Sequence, residues 1–178
     1  SYSLWSALNL YWAMVTHLGR GEDLFNDVIG VFMADEGRLP DFGELKDYGT
    51  QRNLLEMRSS GYEHVVASPN SERAWGFDRL ADIAVHFGLH LDEAPLWRAK
   101  AAAIRKAIRR ELWDASAGFF RCLRRDGHSE LVYSIQAFDA LRFGACTPQM
   151  RRALVSHLRD GAFLGKYGVS SVSAEDAI

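Results

Sequence analysis

A chain of 178 residues, 48% hydrophobic and 25% charged, is long enough to bury one sizeable core, and a single domain over residues 1–178 is the default expectation. Its net charge of −2, with 21 basic residues spread along the chain, excludes the concentrated basic face that phosphate binding needs, so no nucleic-acid partner is expected. No run approaches a membrane span and no signal-peptide pattern opens the chain; with Cys122 and Cys146 in neither metal-binding nor disulfide spacing, the expectation is no membrane partner and ordinary thiols in a reducing, cytoplasmic setting.

The first predicted element is a helix, because Leu4, Trp5, Leu8, Tyr11, Trp12 and Val15 recur at i, i+3, i+4 and i+7. Gly19 and Gly21 end it. A second helix, Asp23 to Met33, has Phe25, Val28, Ile29 and Phe32 inward and Asp23 as N-cap, completing an αα-hairpin. From Asp35 to Ser68 the glycines and Pro40 prevent a long element, while Phe42, Tyr48, Leu54, Leu55, Tyr62, Val65 and Val66 argue for an ordered loop folded across one end of the helices. Ser68-Pro69 predicts the next start, serine as N-cap and proline in the first helical position, with Phe77, Leu80, Ala81, Ile83, Ala84 and Phe87 buried and Gly88 as the stop. Asp92 is the expected cap of a further helix with Trp97, Ala101, Ile104, Ala107, Ile108, Glu111 and Leu112 along its inner stripe. The basic residues between Arg98 and Arg110 form its solvated outer face.

Trp113 to Phe120 reads as a turn in which Asp114 caps local N–H groups, and the Asp126-Gly127 pair predicts a small β-hairpin over 119–132. A helix is expected from Tyr133 to Phe143 up to Gly144, then a last one from Thr147-Pro148 carrying Met150, Leu154, Val155 and Leu158. Gly161 to Ile178 is expected to be loop, with Glu175 and Asp176 in a frayed terminus. The sum is six helices in three antiparallel pairs, without a short tandem repeat. We therefore expect an all-α fold of antiparallel helical hairpins, an α/α toroid, with one small hairpin of strands.

The stretch richest in chemistry is Asn53 to Trp75, NLLEMRSSGYEHVVASPNSERAW. Loops with many ionisable and aromatic groups are where function concentrates. Three segments in the chain resemble, in the same order, those of the six-hairpin (α/α)6-barrel glycosidases, the superfamily of trehalases, processing α-glucosidases and amylo-glucosidases. GYEHVVASPNSERAW stands where those enzymes carry the general-acid aspartate and a serine-proline-arginine-tryptophan run; LWDASAGFF (Leu112 to Phe120) is similar to their tryptophan-aspartate turn. GAFLGKYGVSSVSAEDA (Gly161 to Ala177) resembles the loop that precedes their catalytic base, and GRLPDFG (Gly37 to Gly43) the loop ahead of the acid. In place of the aspartate this chain has Glu63. The resemblance implies about half of an (α/α)6 barrel, a piece of a longer chain, acting on an α-glucoside or related oligosaccharide.

Cleaving a glycosidic bond needs one carboxylic acid to protonate the leaving oxygen and a second carboxylate to activate water or attack the sugar. Glu63 is the nominated acid, with Tyr62 able to stack on a sugar and His64 to bond a hydroxyl. Glu56, between apolar neighbours in LLEM, is the competing acid, since desolvation would raise its pKa. Asp47 is a candidate for substrate hydroxyls, and Arg73 and Trp75 match the arginine and tryptophan of the resemblance. No histidine pair has metal spacing, so neither a metal nor another cofactor is expected. The partner is an oligosaccharide or small glycoside, and the open apolar side of a half-barrel implies self-association. The alternative is a non-catalytic helical module that binds carbohydrate or protein.

Overall fold

A computed structural model describes Leu45, residues 65–123 and residues 127–176. The helices predicted over Leu4–Val15 and Asp23–Met33 lie outside the described residues, as do Asp126 and almost all of the Asp35–Ser68 loop. Among the described residues four α-helices, α1 (Ala67–Phe87), α2 (Ala94–Ala107), α3 (Asp139–Arg142) and α4 (Pro148–Ser156), are joined by short antiparallel strands, which corrects the all-α expectation. The strands are β1 (Trp113–Asp114), β2 (Phe119–Leu123), β3 (Ser129–Leu131), β4 (Leu164–Gly165) and β5 (Gly168–Val169).

Helices α1 and α2 form an antiparallel hairpin, as the cross-links show: Asp82 pairs with Arg98 and Asp78 with Arg105, so later positions on one meet earlier positions on the other. The largest fully buried side chains of these two helices are Trp97, Phe77, Leu80 and Ile104. α1 starts two residues earlier than expected. Its N-cap is Val66, because Val65 exchanges both backbone hydrogen bonds with Leu123 at 3.0 Å and holds the chain extended until then. Ser68 sits inside the helix and donates instead to Asp139 Oδ2 at 2.7 Å. Pro69 falls in the first turn, where an N–H has no helical partner to lose. The stop is as read: Gly88 takes φ 68°, its N–H and that of Leu89 return to Val85 and Ala84 carbonyls, and an L side chain there would be strained.

Asp92 does not cap α2; the preceding turn is closed by His90, whose carbonyl accepts from Glu93 and Ala94 and whose Nδ1 lies 2.8 Å from Glu93 Oε1. α2 ends in one π turn, Ile108–Leu112, which keeps Ile108 and Leu112 fully buried. The expected hairpin is present, with Arg121 opposite Leu131 and Leu123 opposite Ser129, and β1 adds a third strand. Gly118 closes the β1–β2 turn at φ 63°, and a Cβ there would come within 3.2 Å of Ala153 Cβ on α4.

The helix predicted over Tyr133–Phe143 is only a 3-10 turn (Ile135–Phe138) followed by α3. The backbone of its expected first turn is taken by the chain end: Ser173 N–H donates to the Tyr133 carbonyl, Ile135 N–H to the Ser171 carbonyl, and Ser134 bridges Val172. Residues 161–176 are thus partly strand and tightly fastened, not open loop. Glu175 pairs with Arg159 and faces His157, and the Asp176 carboxylate accepts the Tyr133 N–H at 2.7 Å. Both acids were expected in a frayed terminus, and tertiary partners overrule that. Under this strap Phe119 is fully buried among Tyr133, Phe138, His157 and Phe163.

Candidate functional site

Where α1 begins, three segments distant in sequence meet around a small, shallow cleft. Val66, Ala67 and Ser68 come from the start of α1; Phe120, Arg121 and Cys122 from β2; Val132, Ser134, Gln136 and Ala137 from the segment leading into the 3-10 turn. Each is placed by backbone pairing. The Val65–Leu123 bridge fixes α1 against β2, the β2–β3 ladder brings Val132 alongside, and the Ser134–Val172 bridge holds the far wall.

The surface of the cleft is mostly apolar, with Val66, Ala67, Phe120, Val132 and Ala137 among its lining. Arg121 of β2 is among the lining residues, and its guanidinium is held by neighbours on β1 and β3. Its Nε donates to Asp114 Oδ2 at 2.7 Å, Nη2 pairs with the same oxygen, and Nη1 donates to Ser129 Oγ at 3.3 Å. Asp114 Oδ1 accepts from the N–H groups of Ser116 and Ala117 and from the Ser116 hydroxyl. The Ser116 and Ala117 hydrogen bonds, with Arg121, hold the Asp114 carboxyl well below the usual carboxylate range. The local capping role expected of Asp114 is therefore present, and the hold on Arg121 is added to it.

Ser68 links the cleft to a second polar group. Asp139, which accepts from Ser68, stands near Glu72 on the next turn of α1, and Arg142 lies close enough to act on Glu72. Burial, and then the Asp139 charge, push the Glu72 carboxyl up, with Arg142 opposing. Asn70 is fully buried, its Nδ2 donating to the Val66 carbonyl at 2.9 Å. Cys146, elsewhere in the core, is a buried free thiol pushed up to about 11 by desolvation.

Of the residues nominated from sequence, Glu63, Glu56, Tyr62, His64 and Asp47 lie outside the described residues. Arg73 and Trp75 are two positions apart on α1, about 200° around the helix, and their side chains diverge. Arg73 is 6% exposed and donates from Nη1 to Asn70 Oδ1 at 3.3 Å. Trp75 lies against Phe143, ring centroids 5.6 Å apart, with the Arg79 guanidinium 5.7 Å from its ring. Neither lines the cleft. The residues that do, Arg121, Ser134 and Gln136 above all, were missed in the sequence. The hairpin expected at 119–132 was the one signal that these segments come together. No group of His, Cys, Asp and Glu fit to hold a metal occurs among the described residues, and none of their helices is long and apolar enough to cross a membrane.

Solved structures of α/α-toroid glycosidases share this fold. The chain belongs to the family of mannosylglycerate hydrolase MGH1-like glycoside hydrolase domains, whose model matches residues 46–178. It is similar in structure to a rhamnosidase from Klebsiella oxytoca (TM-score 0.64, 18% identity, covering 87% of this chain and 29% of that one). A GH78 rhamnosidase of Bacillus sp. GL1 matches with TM-score 0.60 and 20% identity, over 76% of this chain and 14% of that one. Neutral trehalase Nth1 from Saccharomyces cerevisiae matches with TM-score 0.56 and 18% identity, over 63% of this chain and 22% of the trehalase. The chain thus spans less than a third of each of these structures. No curated protein sequence matches it.

Proposed function

We propose that this chain forms part of a glycoside hydrolase that cleaves an α-glucoside or related oligosaccharide by two-carboxylate chemistry, with Glu63 as the general acid and Glu56 as its rival for that role. The observation that carries this reading is the glycoside hydrolase family match over residues 46–178, a span that contains Asp47, Glu56, Tyr62, Glu63, His64, Arg73 and Trp75. In this reading Tyr62 and His64 contact the sugar, Asp47 binds substrate hydroxyls, and Arg73, bonded to Asn70, and Trp75, packed on Phe143, support the start of α1 instead of touching the sugar. The second carboxylate comes from beyond the residues named.

The test is turnover of aryl glycosides by the longest available form of the protein carrying Glu63→Gln or Glu56→Gln. Loss of a general acid lowers kcat by about 10²- to 10⁴-fold while folding is unchanged. Parent-like rates in both variants would remove this loop from the mechanism. The 178-residue chain alone is expected to show little hydrolysis, and efficient turnover by it would overturn the view that it supplies only part of the catalytic pair.

A further inference from the structure

The strap of residues 161–176 is tied down by a histidine whose two ring nitrogens both face acceptors. His157, at the end of α4, is buried, its side chain 11% exposed. Its Nε2 lies 3.1 Å from the Ala117 carbonyl oxygen in the β1–β2 turn, and its Nδ1 lies 3.5 Å from Glu175 Oε2 on the strap. A carbonyl and an ionised carboxylate can only accept. Both contacts are therefore made together only by an imidazolium, with its two N–H groups; a neutral ring has one N–H and one lone pair. The ring is held where it meets them: it stands edge-on to Phe119 at 5.1 Å between centroids and 5.5 Å from Tyr133, while its backbone N–H donates to the Leu154 carbonyl. Glu175 is held as well, its N–H donating to Ser173 Oγ and its Oε1 pairing with Arg159.

Of the described residues, the charged and titratable groups set against His157, or against its neighbour Tyr133, are Tyr133 itself, Glu175 and Asp176 on the strap, Arg159 in the turn before it, and Asp114 and Arg121 on β1 and β2. Three carboxylates facing two guanidiniums leave one negative charge, which an imidazolium balances. We propose that His157 is a pH-sensitive latch for the strap: charged, it ties Glu175 to the Ala117 carbonyl, and neutral, it lets one of the two go. The latch holds while the ring is charged and Glu175 is ionised, and it opens as rising pH takes the ring's proton away. What it frees is the stretch that fastens the residues ahead of the 3-10 turn, through the Ser173 N–H on the Tyr133 carbonyl, the Ile135 N–H on the Ser171 carbonyl, and the Ser134–Val172 bridge. The proposal does not depend on the hydrolysis proposed above.

The experiment is NMR on the nitrogen-labelled 178-residue chain at successive pH values. The ring nitrogens of His157 report its charge, and amide hydrogen exchange, corrected for the intrinsic rise of exchange with pH, reports how firmly the strap is held. As the ring loses its proton, protection of the Ile135, Ser173 and Ala174 amides is expected to fall about two- to tenfold, as for one lost hydrogen bond, while Leu80 and Ile104 in the α1–α2 hairpin keep theirs. In Glu175→Gln that step is expected to vanish, because a carboxamide can offer the ring either an N–H or a carbonyl oxygen. A ring that is neutral wherever the chain is folded overturns the latch. So does strap protection indifferent to the ring's charge, a step of equal size at Leu80 and Ile104, or a step that survives undiminished in Glu175→Gln.

Discussion

Asp114 shows how one carboxylate serves two structures. Oδ1 closes the β1–β2 turn on Ser116 and Ala117, and Oδ2 takes the Arg121 guanidinium from the neighbouring strand. Its side chain is only 9% exposed, so these bonds are little diluted by water. Asp114→Asn keeps the shape and loses the charge; it is expected to destabilise the fold by about 1–3 kcal/mol, read as a lower thermal midpoint at neutral pH. The pH sign follows from the depressed folded value. Stability contributed by a lowered carboxyl is complete above the unfolded value, near about 4, and is lost as pH falls toward the folded one. The gap between wild type and Asp114→Asn is therefore widest at neutral pH and narrows in melts taken at successively lower pH. The tryptophan-aspartate turn made the capping role of Asp114 legible. Arg121 was not, because strand register, not spacing, delivers it.

At the scale of elements, the two serine- or threonine-proline pairs behave differently although they look alike in sequence. Thr147 is the true cap of α4, with φ −71° and ψ 165°, its Oγ1 accepting the Met150 N–H at 3.2 Å. Ser68 is an interior residue of α1 whose hydroxyl serves a tertiary contact with Asp139. Thr147→Ala is expected to cost about 1 kcal/mol through the helix itself. Ser68→Ala should leave the start of α1 unchanged and loosen its contact with α3, so hydrogen exchange should quicken near Asp139 and not at Ser68 to Ser71. Faster exchange across that first turn of α1 would restore Ser68 as its cap. The same competition shortened the helix expected from Tyr133: local propensity favoured helix, but the backbone of Tyr133, Ser134 and Ile135 was already bonded to residues 171–176. Such long-range pairing leaves no local mark.

Across the molecule, the α1–α2 hairpin is the platform on which the cleft stands. Phe77 is fully buried between the two helices, with the Lys100 ammonium 5.2 Å from its ring. Phe77→Ala is expected to cost about 3–5 kcal/mol, a large share of a domain's stability. Chemical denaturation should show that loss as a lower midpoint. Trp75, by contrast, reaches α3 through Phe143, so its loss should disturb that contact more than the hairpin.

What the amino-acid order alone determined is the periodic part. Apolar residues at 3.6-residue spacing decided the faces of α1 and α2, Gly88 and Gly144 decided stops, and an order of three loop motifs was enough to indicate the glycosidase family that the match over residues 46–178 then showed. These are local signals, carried by neighbours a few positions apart. The cleft was decided only by tertiary structure. Residues 66–68, 120–122 and 132–137 carry no common motif, and they meet because one backbone bridge at Val65 and another at Ser134 bring a helix start, a strand and a 3-10 turn together. Backbone hydrogen bonds between distant segments are indifferent to side-chain identity, so no pattern in the sequence announces where they form.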